Sequence, residues 1–347
     1  MFAAGTTPAG APASIDTSEL WRRVVKPVEP FLESVARRLA EQVETFDPEI
    51  APYARYALTN QGKQLRPALV ALSAGAVGQA NDAVVTAAVI IETVHLATLV
   101  HDDVMDEASV RRRRPTLAAK WGNQISVLLG DTLFAHALKL AAGFPTTEVC
   151  HAVSAATKTV CSGEILQTHR RRQFAVTRAE YLRIVQMKTA ELFALSCDLG
   201  AWLGGADKPQ RAALRKYGMD LGTAYQVYDD CVDIFGSEAD AGKSLGTDLA
   251  NGKLTLPLLV ALERSAGSDA GELQRLVASW DGRHVPRLLE LLTRHDALAE
   301  SQRVIHGLLE SACLALEPIA SSPSRGALAE LTRFLAKQTD GLGVLDS

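Results

Sequence analysis

The chain has 347 residues, 47% of them hydrophobic, 22% charged and only 5% aromatic, with a formal net charge of −4. That apolar share suffices for one large core, and abundant alanine and leucine with few aromatics favour helix packing over a sheet sandwich. The slight negative charge gives no electrostatic reason to expect a nucleic-acid partner, so any anion site must be assembled locally.

Residues 1–14, MFAAGTTPAGAPAS, lack a basic stretch followed by a continuous apolar one and do not read as a secretory signal. Residues 1–17 are predicted to be a disordered lead-in to a single domain over 18–347. No run of 18 or more uncharged apolar residues occurs, so no transmembrane helix is predicted. Cys150, Cys161, Cys197, Cys231 and Cys313 are odd in number and show no paired spacing. That argues for reduced thiols in a cytoplasmic protein rather than a disulfide framework or a zinc site.

Apolar residues recur at three- and four-residue spacing over 20–43, punctuated by Pro27 and Pro30, so a helix is predicted there. Residues 61–67, QGKQLRP, form a loop-to-helix junction in which Pro67 suits a first helical turn. Gly62, Lys63 and Arg66 there make an anion cradle of the kind found at helix N-termini, although the same residues would also serve a solvated loop. Helices over 68–78 and 81–101 follow, the second nearly all apolar and therefore expected to be central. It ends in Asp102, Asp103 and Asp106, after which come Arg111, Arg112, Arg113 and Arg114. Four arginines in a row usually mark a surface patch, but beside carboxylates they can bind phosphate bidentately.

Further apolar helices are predicted over 125–142, 148–168 and 181–203, the last holding Lys188, which would need an anionic partner if buried. Another starts near 211 and ends in Asp229, Asp230 and Asp233. The stretch 242–257, which carries Lys243 and Lys253, reads as a flexible surface loop or, given its place after the aspartates, as a flap that reaches phosphates on closure. Residues 258–337 alternate helical pattern with Gly, Ser and Pro breaks and are expected to be structural.

The two acidic clusters organise this pattern. Each sets carboxylates at i, i+1 and i+4, and on a helix the first and last share a face with about 5–6 Å between Cβ atoms. At an effective dielectric near 20, two like charges about 4 Å apart repel by about 4 kcal/mol. One acidic run is ordinarily a solvated helix face. Two such runs in apolar surroundings are a poor choice for stability alone and point to a bound cation. Carboxylates without imidazole or thiolate partners suit a hard ion, and Mg2+ typically takes one or two of them and fills its remaining positions with water and phosphate oxygens. The expected arrangement is two facing helices that offer their aspartates to shared Mg2+ ions gripping a diphosphate.

No βαβ alternation, strand series or glycine-rich nucleotide fingerprint is present. The predicted fold is therefore one all-α domain, a bundle of about ten or more helices around a central cavity.

Taken together, GKQLRP, HLATLVHDDVMDEASVRR, GEILQ, MKTAELF, YQVYDDCVDIFG and GKSLGTDLANGKLTLP resemble, in this order, the trans-isoprenyl diphosphate synthases, or polyprenyl synthetases, over about residues 50–260. The resemblance implies the isoprenoid synthase fold and a homodimeric prenyltransferase that joins isopentenyl diphosphate to an allylic diphosphate with Mg2+, a trio of ions once substrate is bound. By matching position it makes Asp102, Asp103, Asp106, Asp229, Asp230 and Asp233 metal ligands. It gives Arg111, Lys188, Lys243 and Lys253 to the allylic diphosphate, and Lys63, Arg66, His95 and Arg112 to isopentenyl diphosphate. Thr189 and Gln226 fall near the forming cation and, with Lys188, are the catalytic candidates. The released diphosphate is the expected proton acceptor.

Two positions depart from the family pattern, Arg113 and Gln61 standing where glycine is usual. Thr98, Ala97, Val94 and Thr93, on the helix leading into the first cluster, are small, which implies a product of C20 or longer. A floor for the cavity is expected from another helix, at Phe134, Leu138, Val149 or Val153. Two alternatives remain at this point, a class I terpene cyclase and a non-catalytic partner subunit of a heteromeric synthase.

Overall fold

In the computed structural model the described residues are 22–59, 62–112, 114–236 and 246–343. The predicted lead-in at 1–17, and with it Gln61, Arg113 and Lys243, lies outside them. The first long helix, α1 (Glu29–Val43), has Pro30 in its opening turn and buries Leu32, Val35, Leu39 and Val43, the three- and four-residue spacing visible in the sequence. After α2 (Ala51–Leu58) and α3 (Leu65–Val77) comes α4 (Asp82–Met105), 24 residues long. The Asn81 side chain starts α4 by accepting from the Val84 N–H at 3.1 Å. This helix does not stop at His101 but runs to Met105, so Asp102 and Asp103 are helical and Asp106 caps its end.

Arg111 and Arg114 sit in two short paired strands, and Arg112 and Arg114 are exposed. Val110–Arg111 pairs antiparallel with Arg114–Pro115, the only sheet among the described residues, and Arg112 takes a φ of 52°. Beyond this hairpin lie α5 (Leu117–Trp121), α6 (Asn123–Ala142), α7 (Glu148–His169) and α8 (Arg178–Val185). A π-helical turn, Gln186–Ala190, joins α8 to α9 (Glu191–Leu203). A capping box of Asp207 and Gln210 opens α10 (Lys208–Phe235), 28 residues that carry the second cluster. The chain finishes with α11 (Thr247–Ala250), α12 (Leu256–Arg264), α13 (Ser268–Ala278), α14 (Val285–Arg294), α15 (Ala297–Ala315) and α16 (Pro323–Asp340). The all-α prediction holds.

The interior divides into two apolar clusters. One gathers α4 with α1, α6 and α7; the other gathers α10 with the C-terminal helices. The shared wall between them is α9, which gives Leu192, Leu195 and Leu199 to the first and Phe193, Cys197 and Ala201 to the second. A helix apolar on every side must be covered on every side. α10 approaches α9 so closely that a Cβ on Gly218 would lie 2.6 Å from the Phe193 carbonyl oxygen. That approach fixes where the second cluster stands.

By length and mean apolar character α4 and α6 would also pass for membrane spans, but 67% of the apolar window of α4 is buried inside the protein, against 39% for α6. The hydropathy of α4 serves the core. All five cysteines are unpaired.

Candidate active site

The C-terminal ends of α4 and α10 face a common open cavity of about 1590 Å3. Asp102, Asp106 and Asp229 line it, together with Lys63, Arg66, His95, Arg111, Arg112, Lys188, Thr189, Gln226 and Lys253. Thus every sequence-predicted cation within the described residues meets three of the six aspartates.

The other three turn into the protein. Successive helix positions are 100° apart, so neighbouring aspartates point in different directions, and here the second of each pair is buried. Asp103, 6% exposed, accepts from Arg111 Nε at 2.6 Å, and burial pushes its carboxyl up against the pull of that guanidinium. Asp230, 5% exposed, accepts from Tyr181 OH at 2.6 Å and Gln226 Nε2 at 2.7 Å. Burial, with Asp248 nearby, raises it as well. Asp233, 1% exposed, accepts from Thr247 Oγ1 at 2.9 Å and from the Asp248 N–H at 3.1 Å, while its carbonyl receives the Gly246 N–H at 2.8 Å. These bonds anchor the chain behind the second cluster. The one-turn spacing that puts Asp102 and Asp106 on the cavity face is therefore overridden at Asp233 by α11.

Burial raises the Asp102 carboxyl, with Lys188 opposing and Glu164 and Asp106 reinforcing. At Asp106 burial acts the same way, but the Lys253 ammonium, with Lys188 and Arg171, holds it below the ordinary range. Lys253 reaches Asp106 Oδ2 at 3.1 Å and Asp248 at 3.5 Å. Although burial works against its charge, these carboxylates keep the Lys253 ammonium above its ordinary value.

Lys188 and Thr189 owe their aim to the π-helical turn. The Glu191 N–H bonds to the Gln186 carbonyl, five residues back, and the added residue turns the side chains out of α-helical register. Lys188 contacts Glu164 and donates to Gln167 Oε1 at 2.8 Å, so α7 supplies both its partners. Thr189 Oγ1 donates to Gln226 Oε1 at 2.9 Å.

A second cationic group lines the cavity at the start of α3. The Arg66 guanidinium stacks 4.9 Å from the Phe193 ring centroid, and its Nε is buried without a hydrogen-bond acceptor. Gly62 makes room for Arg112, since a Cβ there would lie 2.5 Å from Nη2. Burial, reinforced by Arg66, Arg112 and Arg111, lowers His95 well below its usual value and keeps the imidazole neutral. Beneath them lies Glu92, 2% exposed, its carboxyl raised by burial while Arg66 and Arg112 oppose.

Sequence reasoning assigned no role to Glu92, Glu164, Gln167, Arg171, Tyr181 or Asp248. For Glu92 a signal existed, a lone carboxylate inside an otherwise apolar helix. For Arg171 none did, because its partner Asp106 is 65 positions away; Asp248 stands in the stretch GKSLGTDLANGKLTLP, which pointed to the segment but not to that residue. Among the small residues leading to the first cluster, Thr98 borders the cavity, whereas Ala97, Val94 and Thr93 pack in the core. Of the four floor candidates Phe134 borders it, and Val149 and Val153 are fully buried.

Among the described residues no three acidic, His or Cys side chains converge closely enough to hold a metal ion by themselves. An all-oxygen set of dispersed carboxylates suits Mg2+, which relies on substrate phosphates and water for most of its coordination, and is unlike an all-protein cage.

A sequence profile of the polyprenyl synthetase family matches residues 47–292. Octaprenyl diphosphate synthase of Escherichia coli is 33% identical over 308 residues, 88% of this chain and 95% of that protein. Heptaprenyl diphosphate synthase component 2 of Bacillus subtilis is 32% identical over 308 residues, 88% of each chain. The crystal structure of a polyprenyl synthase from Caulobacter crescentus, complexed with calcium and isoprenyl diphosphate, superposes with a TM-score of 0.85 at 34% identity, covering 91% of this chain and 97% of that one. The chain belongs to the polyprenyl synthetase family. It is a prenyltransferase with the all-α isoprenoid synthase fold.

Proposed function

We propose that the protein condenses isopentenyl diphosphate with an allylic diphosphate in a Mg2+-dependent, head-to-tail reaction that makes an all-trans polyprenyl diphosphate of C20 or longer. The observation that carries this reading is the meeting of Asp102, Asp106 and Asp229 with two separate sets of cations in one cavity. Asp102, Asp106 and Asp229 are the direct metal ligands, and Asp103, Asp230 and Asp233, each bonded to protein donors, hold the two helix ends in place. This narrows the six-ligand expectation to three. Bound Mg2+ would supply Lewis-acid stabilisation of the charge that builds on the departing diphosphate.

Lys188, Lys253 and Arg111 hold the allylic diphosphate, and Lys243, outside the described residues, joins them in this reading. The oxygens of Thr189 and Gln226 border the place where positive charge develops and favour the allylic cation. Lys63, Arg66, Arg112 and neutral His95 seat isopentenyl diphosphate so that its double bond lies beside that cation. The freed diphosphate accepts the proton, consistent with the lack of a role here for a side-chain base. Thr98, Leu99, Phe134, Val160 and Leu192 form an apolar wall that houses the growing chain and keeps water from it. The cavity exceeds the roughly 300–1,000 Å3 of an ordinary small-molecule pocket, as two diphosphates and a long chain require.

Incubation with Mg2+, isopentenyl diphosphate and each of the C5 to C20 allylic primers tests this, with products of C20 and above expected. Products that stop at C15 would refute the chain-length assignment. Release of diphosphate from one allylic substrate alone would instead indicate a cyclase, which has no use for the second cation set. Activity that appears only after a second protein is added would indicate a heteromeric synthase, the arrangement that the word component in the name of the Bacillus relative points to.

The homodimer has a candidate face on α6 and α7, where Val127, Leu128 and Ile165 are 42%, 61% and 69% exposed. A dimer is expected in sedimentation equilibrium, dissociating on Leu128→Glu; a monomeric wild-type protein would remove this element.

A further inference from the structure

Asp106 is held from two sides. Lys253 Nζ lies 3.1 Å from Oδ2 and Arg171 Nη2 lies 2.8 Å from Oδ1, so both oxygens of a cavity-lining carboxylate already carry a charge-assisted hydrogen bond. The proposed function accounts for Lys253 but not for Arg171. This arginine stands in the turn after α7, and its neighbour Arg172 donates its N–H to the Gly252 carbonyl at 2.7 Å. That bond ties the turn to the strand of chain carrying Lys253. The Arg171 Nε is buried without an acceptor, so part of its donor fork is unmet in the arrangement seen.

We propose that Arg171 is a binding residue for the allylic diphosphate that exchanges partners. It neutralises Asp106 in the free enzyme and turns its fork to the diphosphate when a divalent cation takes that carboxylate. This rests on the function proposed above. Arginine does not lose its proton, so it cannot relieve a clash with an incoming cation by becoming neutral. Stranding it against Asp106, Lys253 and a divalent ion would leave a half-buried charge without its partner. The diphosphate brought by the ion is the anion that restores balance, and the planar fork suits its paired oxygens.

The idea sets two effects of opposite sign on one side chain. Against the ion alone Arg171 is a competitor; toward the ion with diphosphate it is a ligand. A merely structural staple would not split in this way.

The test uses the full chain with Arg171→Gln and Arg171→Lys, titrated calorimetrically first with Mn2+ alone and then with inorganic pyrophosphate at saturating Mg2+. For a pair whose side chains are each 22% exposed the expected size is about fivefold or more in each direction. Arg171→Gln should bind Mn2+ tighter and pyrophosphate more weakly, with KM for the allylic substrate rising more than kcat falls. The lysine variant keeps the charge and should recover part of the pyrophosphate affinity. Unchanged affinities, or both moving the same way, overturn the proposal. A wild-type protein that neither binds pyrophosphate nor turns over would overturn the underlying function instead.

Discussion

Replacing Asp102 by asparagine is expected to lower kcat/KM by about a thousandfold or more, on the order of 4 kcal/mol of transition-state stabilisation, while raising the melting temperature at neutral pH. The two effects share a cause. Asp102 lines the cavity and burial raises its carboxyl above the ordinary value of 3.8, so the folded protein disfavours the charge that the chemistry uses. The sign follows from linkage: a carboxyl raised on folding costs nothing while protonated in both states, and stability is lost as pH climbs from the unfolded value through the folded one. The asparagine variant should therefore melt above wild type at pH 7 and converge with it below about pH 4, near the ordinary carboxylate value. Paired melts at the two pH values and initial rates with Mg2+ check it. A variant with more than a tenth of wild-type activity, or one that melts lower at pH 7, would count against Asp102 as a metal ligand held at the expense of stability.

Arg66→Met should raise KM for isopentenyl diphosphate about a hundredfold while leaving KM for the allylic substrate within a few-fold of wild type; a lost buried charge-assisted bond is worth about 2–3 kcal/mol. Methionine retains the packing over Phe193 and removes only the charge and donors. The buried Nε without an acceptor marks Arg66 as a group awaiting an anion. Lysine should restore little, since one ammonium does not reproduce two parallel donors. Initial rates with each substrate varied in turn separate the cases. Equal rises in both KM values, or none, would detach Arg66 from the second diphosphate site.

Much of this is legible in the sequence. The burial of Leu32, Val35, Leu39 and Val43 follows the spacing along α1, and the near-continuous apolar character of α4 announced its central place. Periodicity also brought Asp102 and Asp106 to one face. It failed at Asp233, because Thr247 and Asp248, which claim that carboxylate, lie beyond the helix whose period was being read. Lys188 and Thr189 were found as residue types, but their direction depends on a π-helical turn that no apolar pattern encodes. The hairpin at 110–115 was hidden because its strands are two residues long, too short for alternation to register. Arg171 reaches Asp106 across 65 positions, a pairing that only the packed bundle creates.

The scattering of the carboxylates has one more consequence. Since no three of them among the described residues close around an ion unaided, the proposed centre holds its ions weakly by itself and firmly only with the diphosphate, whose oxygens complete their coordination. The substrate thus recruits the very ions that stabilise its departing group.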